Sequence, residues 1–183
     1  MRCQKRHAIS SPAAPSGRVD IFNQDRFAME LLNEAYSGLG SRVFQRIRDE
    51  LGLCYYVGAT QLIGLEPGYF AFYAGTTPQN VGTCEKEIFA GLDKPKADGL
   101  SDEELTRAKS GIVGQRRVRM QDNSELGIMV GLDELTGLGY DYFKTVDDKY
   151  QAVTLDDIKR VANQYFNGTP HAVVIETPSE EKE

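Results

Sequence analysis

The stretch GSRVFQRIRDELGLCY, residues 40–55, combines a helix start, a helix end and the first residues of a strand. Ser41 can cap a helix, and apolar side chains then recur at the spacing of one helix face, at Val43, Phe44, Ile47 and Leu51. Gly52 predicts the helix end, because glycine readily adopts the left-handed conformation that closes helices. Residues 54–63 are rich in aromatic and β-branched side chains and predict a strand. The stretch therefore predicts a short helix that leads directly into a sheet.

The segments on both sides extend this pattern. A helix is predicted over residues 23–36, and a turn at residues 64–68 joins the first strand to a second one at residues 69–74. Capping residues predict further helices that begin near Thr77, Ser101, Asn123, Asp141 and Thr154. A last strand is predicted over residues 171–176. Helices segregated from a mostly antiparallel sheet define an α+β fold, with the helices packed on one face of the sheet.

The predicted domain covers residues 20–178 and is followed by a charged tail at residues 179–183. Residues 1–19 are basic, as in a mitochondrial transit peptide, but Pro12 and Pro15 would break the amphipathic helix that such a peptide needs. They also make a poor strand, so we interpret them as an irregular lead-in. The closing strand at residues 171–176 still needs a neighbour in the sheet, which a strand before the first helix would normally supply.

Composition and charge exclude several classes of protein. The 183 residues fit one domain, and the net charge of -6 with a pI near 5.1 argues against nucleic-acid binding. Apolar runs of about 18 residues are missing, so no membrane partner or transmembrane helix is expected. The N-terminal residues lack the apolar centre of a secretion signal. These features favour a soluble, cytoplasmic protein.

The inventory of reactive side chains is small. The two histidines, His7 and His171, lie far apart in the sequence, and neither belongs to a His-x-x-Glu-His zinc motif. A catalytic zinc needs three protein ligands, which this chain does not offer in any known spacing. Cys54 has no nearby histidine to activate it. The sequence therefore predicts no metal site and no catalytic residue in this chain.

Residues 40–55 closely resemble a signature of the pitrilysin/insulinase family of zinc peptidases, in the form found in mitochondrial-processing-peptidase-like C-terminal domains. Three further landmarks agree in order and spacing: YAGTTP at 73–78, EELTRAK at 103–109 and VTLDDI at 153–158. The resemblance covers about residues 20–178, almost the whole chain. It implies an α+β domain that pairs with a second domain across a closed chamber.

The resemblance also implies that the two domains have different roles. One domain carries zinc on a His-x-x-Glu-His helix, whereas the other holds no metal and contacts the peptide substrate with an arginine and a tyrosine. The present chain resembles the metal-free type, so zinc is expected in a partner domain or subunit. The arginine and the tyrosine fall on Arg48 and Tyr55. Alone, the chain should not cleave peptides.

Other interpretations of these two residues follow from the sequence itself. Arg48 lies beside Asp49 and Glu50, and a helix arginine in that setting usually forms a surface ion pair. A strand tyrosine is usually half-buried packing, and Tyr56 competes with Tyr55 because neighbouring strand residues face opposite sides. The family spacing selects Tyr55. A structural scaffold subunit, or a peptide-binding module without proteolysis, remains the alternative function.

Overall fold

Four strands form one antiparallel sheet in the computed structural model, which describes residues 6–11, 19–38, 40–167 and 172–176. The strand order is β2-β3-β1-β4. The strands are β1 (Arg6–Ser11), β2 (Cys54–Leu62), β3 (Tyr69–Thr76) and β4 (Ala172–Ile175). β2 and β3 form the predicted hairpin, in which Val57 lies opposite Ala74 and Leu62 lies opposite Tyr69.

The strand β1 corrects the interpretation of residues 1–19 as an irregular lead-in. Arg6–Ser11 pairs with β3 on one side and with β4 on the other, so it supplies the neighbour that the closing strand needed. A strand between two partners satisfies its backbone groups on both edges, so it does not need a long apolar run of its own. The closing strand begins at Ala172, whereas His171 lies outside the described residues.

The described part of the chain contains seven α-helices. They are α1 (Arg26–Ser37), α2 (Arg42–Phe44), α3 (Val81–Ala97), α4 (Asp102–Arg119), α5 (Asn123–Leu135), α6 (Val146–Ala152) and α7 (Leu155–Phe166). Capping boxes begin α4 and α7, where Ser101 pairs with Glu104 and Thr154 pairs with Asp157. None of the described helices combines the length and the apolar character that a membrane span requires.

The two faces of the sheet differ in their surroundings. Val57 and Phe72 on the inner face are buried against helices, among them α1, where Leu31 and Leu32 are fully buried. The outer face of the hairpin carries Tyr56, Leu62 and Tyr69, which are 40%, 57% and 45% exposed. The helices therefore pack on one face of the sheet, as predicted, and the other face is open.

Candidate functional site

The helix of residues 41–51 changes its hydrogen-bonding pattern halfway. Phe44 N–H donates to Ser41 Oγ at 3.1 Å, which begins α2 as predicted. Gln45–Glu50 then forms a π-helical turn, and Leu51 N–H donates to the carbonyl of Arg46 at 3.2 Å. Gly52 ends the turn with φ of 60°, the left-handed conformation expected from the sequence. Single π turns inside helices recur at functional sites, and this one was not predicted.

Arg48 lies in this π turn with an exposed side chain. Its guanidinium carbon is 4.7 Å from the ring centroid of Phe44, so the two side chains stack. The carboxylate that would form a surface ion pair is taken by another residue, since Arg46 donates to Glu50 at 2.8 Å and to Glu87 at 3.2 Å. Arg48 makes no ion pair within the described residues. Its donors are therefore available to a ligand.

Tyr55 is the extra residue of a β-bulge at the start of β2. Cys54 lies opposite Thr76 and Tyr56 lies opposite Gly75, so Tyr55 has no partner across the hairpin. Its side chain is 78% exposed, which excludes the half-buried packing that a strand tyrosine usually shows. Bulges redirect side chains and are enriched beside active sites. The bulge therefore presents the Tyr55 phenol to solvent.

Tyr56, the competing candidate, has a different environment. Its ring lies over Gly75, where an added Cβ would come within 2.4 Å of Tyr56 Cε1. The ring centroids of Tyr56 and Tyr73 are 6.1 Å apart. Tyr56 is therefore packed on the outer face of the sheet. This contact also explains why the YAGTTP landmark holds a glycine at position 75.

The segment between Arg48 and Tyr55 is fixed to the neighbouring strand. The buried hydroxyl of Thr76 donates to the backbone carbonyl of Leu53. Gly52 N–H donates to the carbonyl of Arg48 at 3.1 Å, and Leu53 N–H donates to that of Ile47 at 2.9 Å. These bonds hold the helix end and the strand start in one orientation. Sequence reasoning missed Thr76, although it belongs to the same landmark as Gly75.

A second contact joins two of the landmarks. Arg42 donates two hydrogen bonds to the carboxylate of Glu104, which also accepts from the backbone N–H of Ser101 at 2.8 Å. Burial alone would raise the pKa of Glu104, but the hydrogen bonds from Arg42 and Ser101 outweigh it and lower that pKa. Arg107 donates to the carbonyl of Gly40 at 3.2 Å. The start of α4 is thereby clamped onto the stretch that carries Arg48.

Comparison with known proteins identifies the family. Residues 19–112 match the sequence profile of the peptidase M16 inactive domain. The chain belongs to this family. This chain is 32% identical over 157 residues to an uncharacterized zinc protease of Streptomyces coelicolor. The match covers 84% of this chain and 34% of that protein. An uncharacterized zinc protease of Bacillus subtilis is 26% identical over 165 residues, covering 88% of this chain and 39% of that protein.

Solved structures share the fold of the M16 inactive domain. A protease from Helicobacter pylori gives a TM-score of 0.80 at 21% identity and covers 95% of this chain and 41% of that one. The inactive peptidase domain of a Bordetella parapertussis protein gives 0.83 at 18% identity, covering 99% and 97%. The predicted α+β fold and family resemblance are confirmed. The chain spans about a third of the curated relatives it matches.

The described residues of the M16 inactive domain do not fit a zinc site. Among them, no three His, Cys, Asp or Glu side chains lie close enough together to hold a metal ion. The side chains of His7 and His171 lie outside those described. A hydrogen bond with the thiol of Cys84, together with burial, raises the pKa of the Cys54 thiol far above its usual value. Cys54 is therefore a poor nucleophile.

Proposed function

We propose that this domain is the non-catalytic half of a zinc endopeptidase, in which Arg48 and Tyr55 bind the backbone of the peptide substrate. A partner domain carries the zinc and completes the chamber. The observation that carries the proposal is that two polar side chains, one in the π turn and one in the β-bulge that follows it, have no hydrogen-bond partner within the described residues. Arg48 has no ion pair among the described residues, and the phenol of Tyr55 is 78% exposed.

The two side chains offer complementary chemistry. A guanidinium donates in a planar fork that matches a peptide carbonyl or a C-terminal carboxylate. A phenol can donate to an oxygen that gains negative charge in the tetrahedral intermediate of peptide hydrolysis. Both roles need donors that the protein itself has not used, and within the part of the chain that the structure describes neither Arg48 nor Tyr55 donates a hydrogen bond to another protein group.

The surrounding structure supports a preorganised site rather than two mobile side chains. The stack on Phe44 restricts the guanidinium plane of Arg48. The hydrogen bond from Thr76 to Leu53 fixes the backbone just before Tyr55. Fixed donors contribute more to transition-state stabilisation than mobile ones, because less reorganisation is needed during the reaction.

The zinc-bearing partner is inferred from the length and names of the relatives and from the open outer face of the sheet. The relatives are named zinc proteases and are about three times as long as the region that this chain matches. The described residues offer no zinc ligands, so the metal would lie in the remaining part, where it would activate water. The open outer face of the sheet, with Tyr56 and Tyr69, would then form one wall of the chamber.

A chimera tests this function. In the chimera, this chain replaces the matching region of the Streptomyces coelicolor zinc protease. We expect the chimera to cleave an unstructured peptide in a chelator-sensitive manner, whereas this chain alone should not. Replacing Arg48 with Ala and Tyr55 with Phe together should remove most of the activity without releasing zinc. Full activity of that double variant would contradict the proposal.

A further inference from the structure

Two cysteine thiols lie together beside the candidate site. Cys54 begins β2, directly before Tyr55, and Cys84 lies in the first turn of α3. A hydrogen bond joins the two thiols, and neither cysteine forms a disulfide in this structure. Cys84 is buried, whereas Cys54 is half-buried. Neither thiol has a part in the proposed function.

Regular structure on both sides fixes the separation of the two thiols. Cys54 lies opposite Thr76, the last residue of β3, and the chain then turns directly into α3. The hydroxyl of Thr76 donates to the carbonyl of Leu53, which holds the backbone just before Cys54. On the other side, Ile88 lies one turn after Cys84 and is buried in the core. The two sulfur atoms are therefore brought together by the folded domain and not by a chance contact of loops.

The hydrogen bond gives the two thiols different chemistry. It lowers the pKa of the Cys84 thiol, although burial opposes this effect. Cys54 keeps its proton, because the same hydrogen bond and burial raise its own pKa. Peroxides oxidise the thiolate form of cysteine, and the sulfenic acid that results condenses with a neighbouring thiol. The pair therefore combines a thiolate that can be oxidised with a thiol that can react with the product.

We propose that Cys54 and Cys84 form a disulfide when a peroxide oxidises the domain, and that this bond controls the position of Tyr55. The Cys84 thiolate attacks hydrogen peroxide, which breaks the O–O bond, forms Cys84 sulfenic acid and releases hydroxide. The sulfur of Cys54 then attacks the sulfur of the sulfenic acid. The S–S bond forms, the S–O bond breaks, and the proton of Cys54 leaves with the oxygen as water. Two thiols and one peroxide thus give one disulfide and two waters.

The disulfide acts on the candidate site because Cys54 directly precedes the β-bulge. A disulfide holds its sulfur atoms about 2.05 Å apart, closer than two thiols that are only hydrogen-bonded. Its formation therefore draws the start of β2 towards α3. Tyr55 is the next residue and has no partner across the hairpin that would hold it in place. The charge of Arg48 also acts on the Cys54 thiol, so both proposed substrate contacts lie beside the pair.

Oxidation of this chain alone tests whether the disulfide forms. Cys3→Ser is introduced in every variant, so that only Cys54 and Cys84 remain as thiols. After treatment with hydrogen peroxide, peptide mapping by mass spectrometry should find the two cysteines joined, with the loss of two hydrogens, and dithiothreitol should reverse the change. In the matched control, which also carries Cys54→Ser, dimedone should trap Cys84 as its sulfenic acid. The main measurement keeps both native thiols, so it does not depend on the folding of that control.

Nuclear magnetic resonance of the same Cys3→Ser chain tests whether the bond moves Tyr55. We expect the backbone amide signal of Tyr55 to shift between the reduced and the oxidised form. The amide signal of Leu132 is the control and should stay in place. Leu132 lies beside the hairpin turn, which is at the opposite end of β2 from Cys54.

The chimera with the Streptomyces coelicolor zinc protease tests the effect on activity, and this part rests on the proposed function. We expect peroxide to lower the kcat of the Cys3→Ser chimera about tenfold or more, because a small displacement of a catalytic contact is costly. Dithiothreitol should restore the kcat. A chimera that also carries Cys84→Ala should keep its kcat after the same treatment, which controls for oxidation elsewhere in the protein.

Two results would overturn the inference. One is that peroxide leaves both thiols unjoined in this chain, or joins them only between molecules, because the two cysteines would then serve packing alone. The other is a disulfide that forms without shifting the amide signal of Tyr55. Failure of the proposed function is distinguishable: the disulfide would form and shift Tyr55, while Tyr55→Phe would leave the kcat of the reduced chimera unchanged.

Discussion

The guanidinium of Arg48 stacks over the ring of Phe44, which lies four residues earlier in the chain, at 4.7 Å from the ring centroid. Phe44 is itself buried in the core, so the stack anchors an exposed cation to the rigid part of the domain. The neighbouring Arg46 instead forms ion pairs with Glu50 and Glu87. Two arginines on one helical turn thus have different roles, and this difference can be tested by substitution.

Arg48→Ala should raise the KM of the chimera for its peptide about tenfold, because a hydrogen bond to a charged donor is worth roughly 1.5–3 kcal/mol. Arg46→Ala is the matched control. It removes two ion pairs at the surface and should leave KM unchanged. Steady-state kinetics on both variants checks the prediction, and an equal rise in KM for both would refute a specific role for Arg48.

Thr76→Val should lower the free energy of unfolding by about 1–3 kcal/mol, because the carbonyl of Leu53 loses its donor while the side-chain volume is kept. Thr77→Val is the control, since Thr77 is exposed and its side chain caps no helix. Denaturant unfolding of the isolated domain measures both. If the two variants are equally stable, the bond does not hold the turn between Arg48 and Tyr55.

Gly75→Ala should also lower the stability of the domain, by about 1–3 kcal/mol, because its Cβ would lie 2.4 Å from the ring of Tyr56. Removing the ring should relieve the clash. Gly75→Ala should therefore cost much less in a Tyr56→Ala background than in the wild type, which a double-mutant cycle measures. Additive effects of the two substitutions would show that the ring does not pack on Gly75.

The pair of Arg42 and Glu104 should make stability depend on pH. The pKa of Glu104 lies below its unfolded value of about 4.5. The ionised carboxylate of Glu104 therefore contributes fully to the free energy of unfolding above pH 4.5, and this contribution is lost as the pH falls through the lowered pKa. Glu104→Gln keeps the capping box but removes this loss, so the variant should be less sensitive to acid between those two values.

Urea unfolding across about pH 2–6, the range in which carboxylates titrate, compares Glu104→Gln with Glu103→Gln, an exposed neighbour in the first turn of α4. Glu30 has a pKa raised by burial and contributes with the opposite sign, so only the difference between variants is informative. If Glu104→Gln leaves the pH dependence of the free energy of unfolding unchanged, the pair of Arg42 and Glu104 is not its source.

Local signals in the sequence located most of the helices, whereas structure that depends on contacts between distant parts of the chain was missed. Ser101 and Thr154 predicted their helices correctly because a capping box is satisfied within four residues. Gly52 was also predicted correctly as the helix end, because the left-handed conformation that it adopts is a property of the residue itself. The strand Arg6–Ser11 was missed because its stability comes from two neighbours that lie far away in the sequence.

The candidate site shows the same division. The family resemblance selected Arg48 and Tyr55, and their assignment as substrate contacts remains a prediction. The π turn and the β-bulge that position them were not predicted, because each arises from a one-residue shift in a hydrogen-bond ladder. Such shifts leave the pattern of apolar residues almost unchanged. The contact of Thr76 with Leu53 joins residues on different elements and leaves no local signal.

The most direct test of the central claim is the kcat of Tyr55→Phe in the chimera, measured beside Tyr56→Phe. We predict that Tyr55→Phe lowers kcat about 100-fold or more, because a donor to the developing oxyanion is lost, while the thermal midpoint and the zinc content stay unchanged. Tyr56→Phe should have almost no effect, since its ring packing is kept. Equal and small effects of the two substitutions on kcat would contradict the account and favour a structural role for this domain.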